Sequence, residues 1–279
     1  MTYRFAASFV CMLLLASPVA PVLAQENTLG PDDLYAAMRL DEIVAVMRDE
    51  GLAYGDDIAA DLFGGAAPPE WGKLIAAIYD EDRMKAEVQT ALSEALDGVD
   101  VEPMVAFFET EPGRTFIALE ISARQAMLDE AVEEAAKEAA AVAMADETPR
   151  FQLVTRYVDA NDLIDTNVVS AMNSNVAYYM GLLQGGAMAG DVTEDQIISD
   201  VWGQEPEIRA NTTEWVYTFL LMAYDPVPDA DIEAYVAFSE TPAGQALNRA
   251  VFQAFDGMFS DISNALGQAS AQFLVTQEL

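Results

Sequence analysis

Histidine is absent from this 279-residue chain, and its one cysteine, Cys11, lies in an apolar run near the N-terminus. Without an imidazole there is no Ser-His-Asp triad, no histidine-held zinc or haem, and no imidazole acid-base relay. Lysine is almost as scarce: Lys73, Lys85 and Lys137 are the full set, and none stands in a Ser-x-x-Lys frame. Carboxylate chemistry, or no chemistry, is what remains. Positive charge is short as well, with 13 Lys and Arg against 47 Asp and Glu, a formal net charge of −34. A surface of that sign repels nucleic acid and anionic headgroups; it favours cations, basic partners or plain solubility.

The N-terminal segment reads as an export signal. Arg4 supplies the positive start, Phe5 to Ala16 an apolar stretch of the right length, and Val22-Leu23-Ala24 a small residue at the cleavage position, which predicts a mature chain from Gln25. Pro18 and Pro21 interrupt the run, so it is too short for a comfortable span of about 20 residues. Cys11 then leaves with the signal, and a periplasmic chain of net charge −35 must hold its fold without disulfides. No integral span is expected after cleavage. Hydrophobic residues at 52% exclude disorder for most of the remaining length.

Patterning along the chain is helical, with almost no strand signal. Leu34, Met38, Ile43, Val46 and Met47 share a broad face after Gly30-Pro31-Asp32-Asp33 and predict a first helix that Gly51 and Gly55 punctuate. A second run covers Glu70 to Tyr79, and a third carries Met84, Val88, Leu92 and Leu96 on one stripe before Asp97-Gly98. The stripe Ile117, Ile121, Leu128, Val132, Ala135, Ala139 and Val142 predicts one long, thinly buried helix to about Met144. Thr166 to Gly190 is uncharged but rich in amides, which favours a buried central helix ended by Gly185-Gly186 over a membrane span.

Two segments 131 residues apart are near copies: Val101 to Gly113 and Ile232 to Gly244, sharing Val-Ala-Phe, Glu-Thr and the closing glycine. Such repetition predicts an internal duplication. The fold class expected is all-α, with halves at 25–147 and 148–279 divided at Asp146-Glu147-Thr148-Pro149. Weaker likenesses extend it: Val46-Met47 and Tyr54 against Ala171-Met172 and Tyr179 at an offset of 125, and Leu92, Ala95 and Leu96 against Val216, Phe219 and Leu220 at 124. In each corner Thr110 or Thr241 is placed to cap a new helix, proline fits its first turn, and Gly113 or Gly244 at its third position permits close approach of the preceding aromatic helix. A ligand site at these helix starts is disfavoured, because Glu109 and Glu240 would oppose an anion there.

Two acidic turns, Asp97 to Glu102 and Asp225 to Asp231, offer oxygens for Ca²⁺ but lack the spacing and terminal bidentate glutamate of an EF-hand. Glu109 and Glu240 are the carboxylates a wall-glycan hydrolase would recruit, although duplicated corners set them at separate places. No residue is therefore assigned as catalytic, cofactor-binding or metal-binding, and no cofactor is implied.

The corner words Phe107-Phe108-Glu109-Thr110-Glu111-Pro112-Gly113-Arg114 and Phe238-Ser239-Glu240-Thr241-Pro242-Ala243-Gly244-Gln245 resemble the bacterial domain of unknown function 2059 family, whose signature is a turn of the form F-Y-x-S/T-x-x-G. The resemblance covers roughly residues 80–130 and 205–265; the family's tyrosine is Phe108 in one copy and Ser239 in the other. It implies an all-helical envelope protein of Gram-negative bacteria and carries no activity, cofactor or catalytic residue. The functional expectation is a non-catalytic binding or structural protein of the envelope, with an unknown protein or envelope component as partner. A carboxylate-dependent glycan hydrolase and a carrier of a small molecule or peptide are the alternatives.

Overall fold

Proline and polar caps set where the chain turns into helix. The computed structural model describes residues 29–64, 67–188 and 192–277; the expected export signal and its cleavage point lie outside the described residues. Among those residues there are thirteen α-helices and no strand. They are α1 (Pro31–Ala37), α2 (Leu40–Phe63), α3 (Pro69–Ile78), α4 (Glu81–Ala95), α5 (Glu102–Phe108), α6 (Glu111–Ala126) and α7 (Glu130–Ala145), followed by α8 (Pro149–Ala160), α9 (Leu163–Gln184), α10 (Glu194–Gly203), α11 (Glu205–Tyr224), α12 (Asp229–Ser239) and α13 (Pro242–Gln277). Prolines sit in the first turns of α1, α3, α5, α6, α8 and α11, where a missing N–H costs little. Asp80, Thr110, Asp129, Thr148 and Thr193 accept backbone N–H groups at their own helix starts.

Two expected helices have different bounds. The first breaks at Met38-Arg39, where Arg39 turns left-handed (φ 53°) and α2 begins. Gly51 and Gly55 do not punctuate α2, which runs through both. They are the places where α3 crosses it: a Cβ at Gly51 would enter the Tyr79 ring, one at Gly55 would meet Ile75, and Trp71 Nε1 donates to Gly55 O at 2.9 Å. The long Ala-rich helix is two, because Asp129 Oδ1 accepts Ala131 N–H and starts α7 afresh; α7 is indeed thinly buried, with Ala140 its one buried residue. The amide-rich helix α9 ends at Gly185-Gly186 as expected, but most of it is half-buried, and Val168, Met172 and Gly181 are its buried residues. No helix among the described residues is long and apolar enough to cross a membrane.

The element order after α7 parallels the order before it. Arg39 and Asp162, both left-handed, open α2 and α9 at an offset of 123, two less than the side-chain likeness gives. Gly64 and Gly186, also left-handed, follow their ends. Packing is reciprocal: α13 lies on α4, and α11 lies on α6. The closing helices also cross their second-position helices, most closely at α9 and α13, where Gly181 and Gly267 bring the backbones together. One buried cluster joins residues from both sides, from Leu34, Trp71 and Phe116 to Tyr224, Ile232 and Met258.

Candidate functional site

Helix α6 turns Gly113, Phe116, Ile117 and Ile121 inward, and Glu120 shares that stripe at helical spacing. Its carboxyl is half-buried, and its Oε1 accepts the Tyr224 hydroxyl at 2.6 Å. Tyr224 comes from the end of α11, Tyr157 from α8 and Tyr235 from α12; all three are buried. Their rings pack edge-on or tilted around Phe116, with centroids 5.1 Å (Phe116–Tyr224), 4.6 Å (Phe116–Tyr235), 4.7 Å (Tyr157–Tyr235) and 5.7 Å (Tyr157–Tyr224) apart. The Tyr157 hydroxyl adjoins those of Tyr224 and Tyr235, so one row of phenols leads to the carboxyl.

Electrostatics in this row follow from burial. Loss of water raises the Glu120 carboxyl to about 7, against the opposing pull of the Tyr224 hydrogen bond. Burial, then the Glu120 charge, pushes the Tyr157 and Tyr224 phenols well above the usual range; for Tyr235 burial leads and Tyr157 follows. Near neutral pH the phenols keep their protons and Glu120 is poised between its two forms.

Glu120 also lines three adjoining cavities, of about 260, 210 and 150 Å³. The first has walls of Met47, Ile117, Trp215, Phe252, Phe255 and Phe259. The second shares Met38, Val251 and Phe252 with it and adds Tyr157 and Tyr235; the third shares Asn167 and Trp215 and reaches Tyr224. Other polar groups in these walls have partners: Arg124 reaches Glu50 through two bonds of 2.6 and 2.9 Å and lies over Trp215 at 5.8 Å, Ser170 donates to Asp256 at 2.7 Å, and Asn161 donates to Tyr157 O and Ser239 Oγ. Glu120 is the sole carboxylate lining the three cavities. A larger concavity of about 780 Å³ lies between α7 and α11, but it is an open trough whose Lys137 is paired with Glu133 and Glu134. The smaller, better enclosed group has the features of a ligand site: apolar walls and one placed polar group.

Residues singled out from the sequence have other places. Glu109 and Glu240 are exposed at the C-caps of α5 and α12. Thr110 and Thr241 each accept the N–H of the glycine three residues on at 3.0 Å, and a Cβ at Gly113 or Gly244 would enter the carbonyl of Phe107 or Phe238. The corners are packing devices. In the acidic turn after α11, Arg150 takes the oxygens a cation would need: it donates to Tyr224 O and Val227 O at 2.9 and 2.8 Å and pairs with Asp229. In the other turn Asp100 accepts the N–H of Glu102. No group of three or more potential ligands that could hold a metal occurs among the described residues.

Sequence reasoning missed Glu120 and the three tyrosines. A signal was present: at the corner offset of 131, Glu120 stands opposite Val251 and Tyr235 opposite Met104, so one segment is polar where the other is apolar. No curated protein and no solved structure matches the chain. Residues 82–141, which hold the first corner, Glu120 and most of α7, match the model of the family described as "Uncharacterized protein conserved in bacteria (DUF2059)".

Proposed function

We propose that this is an exported, non-catalytic binding protein of the bacterial envelope, built by tandem duplication from halves at 25–147 and 148–279, that holds a small, largely apolar ligand between those halves. The observation that carries it is Glu120, a lone carboxyl lining three adjoining apolar cavities. Duplication is supported by the parallel helix order and by the reciprocal packing of α13 on α4 and α11 on α6. Export is supported by the sequence of residues 1–24.

Hydrolysis of wall glycan fits less well. Glycosidases need two carboxyl groups about 5 to 9.5 Å apart, and these cavities offer one. The test is titration of the mature protein with the apolar fluorophore N-phenyl-1-naphthylamine, which should brighten and saturate at one probe per chain. Absence of saturable binding would contradict the reading. Release of soluble fragments from peptidoglycan, lost in Glu109→Gln or Glu240→Gln, would replace it with hydrolysis.

A further inference from the structure

We propose that the ligand is a primary amine carrying an apolar tail, its ammonium held by Glu120. This deepens the binding reading above and rests on it. The first element is charge left without a partner. Arg124, the cation lining the same cavity, is paired with Glu50 through two hydrogen bonds, whereas Glu120 uses one oxygen to accept from Tyr224 and its other oxygen has no partner among the described residues. An ionised carboxylate in apolar walls is unfavourable alone and favourable against a cation. Rings supply the second element: Phe252, Phe255 and Phe259 line the cavity, and aromatic faces attract ammonium groups. The third is the long-range field, since a chain of net charge −34 draws cations and repels fatty acids of similar shape.

Binding an ammonium requires the carboxylate, so a protonated Glu120 must release its proton to solvent as the amine enters. The other ionisable groups around it leave that role to Glu120. Tyr157 of α8, Tyr224 of α11 and Tyr235 of α12 keep their protons throughout the neutral range; Arg124 of α6 is tied to Glu50 of α2, and Asp256 of α13 accepts from Ser170 and Asn173 of α9. Amine affinity should therefore rise as pH is raised through neutrality.

Calorimetric titration of the mature protein with decylamine, decanol and decanoate tests this. Decylamine should bind about tenfold or more tighter than decanol, as a charge-assisted hydrogen bond implies, and decanoate weakest. Decylamine should bind about tenfold tighter at pH 8 than at pH 6, with proton release detected in buffers of different ionisation enthalpy. Glu120→Gln, which keeps an acceptor for Tyr224, should bring decylamine to the level of decanol and leave decanol unchanged. Glu109→Gln, on the exposed corner, should alter none of the three. Decanol or decanoate binding as tightly as decylamine in the wild type would overturn the amine assignment and leave the cavity reading standing. Failure of all three probes would overturn both. The wild-type pH dependence and proton release decide the matter even if Glu120→Gln fails to fold.

Discussion

Phe107 and Phe238, equivalent residues of the two corner segments, stack on each other with ring centroids 4.2 Å apart and planes 6° from parallel. The two corners meet at this stack, which joins α5 to α12. Each aromatic should therefore depend on the other. In urea unfolding, Phe107→Ala, Phe238→Ala and the double variant should give a coupling of about 0.5–1.5 kcal/mol. Additive losses would mean the stack contributes nothing beyond area.

The glycines of the corners should tolerate no side chain. A Cβ at Gly113 or Gly244 meets backbone, the carbonyl of Phe107 or Phe238 and the Cα of residue 108 or 239 at 2.7 Å, so even alanine must push two helices apart. Gly113→Ala and Gly244→Ala should each cost about 1–3 kcal/mol. Gly257→Ala, in α13 with nothing within 4 Å of its Cβ, should instead gain about 0.5–1 kcal/mol from helix preference. Chemical denaturation of the three variants separates packing from propensity.

Local structure was legible wherever the chain carries its own instruction. Thr110 with Pro112 and Gly185-Gly186 mark helix ends through groups a few residues away, and those ends stand where the pattern put them. Gly51 and Gly55 misled because their role is tertiary: they make room for Tyr79 and Ile75 of another helix, and nothing adjacent to them says so. Asp129 was passed over for a simpler reason, since the apolar stripe continued through it while its carboxyl capped a new start. The candidate site was hidden because Glu120, Tyr157, Tyr224 and Tyr235 lie on four helices and form no motif; their one trace is a mismatch at the corner offset of 131, Glu120 against Val251 and Tyr235 against Met104.

Glu120 should also make the protein more stable in mild acid than at alkaline pH, as far as this one group decides it. Its carboxyl binds a proton more tightly folded, at about 7, than unfolded, near 4.5. The folded state therefore takes up more protons between those values. The contribution is fully present below the unfolded value and is lost as pH rises through about 7. At about 1.4 kcal/mol per tenfold difference in proton affinity the total is at most about 3.5 kcal/mol. Glu120→Gln should remove this segment of the pH–stability curve and be the more stable protein at pH 8. Parallel curves for the two proteins from pH 4.5 to 8 would place the carboxyl in water.

The claim that the cavities around Glu120 are the binding site is tested most directly by methyl-resolved NMR of the mature protein during titration with N-phenyl-1-naphthylamine. The largest shift changes should fall on Met38, Met47, Ile117 and Val251, which line those cavities, with Ala131 to Ala145 of α7 and Val201 of α10 unmoved. Changes centred on Ala140, Ala141, Met144 and Ala210 of the open trough, or no saturable change at the cavity methyls, would contradict it.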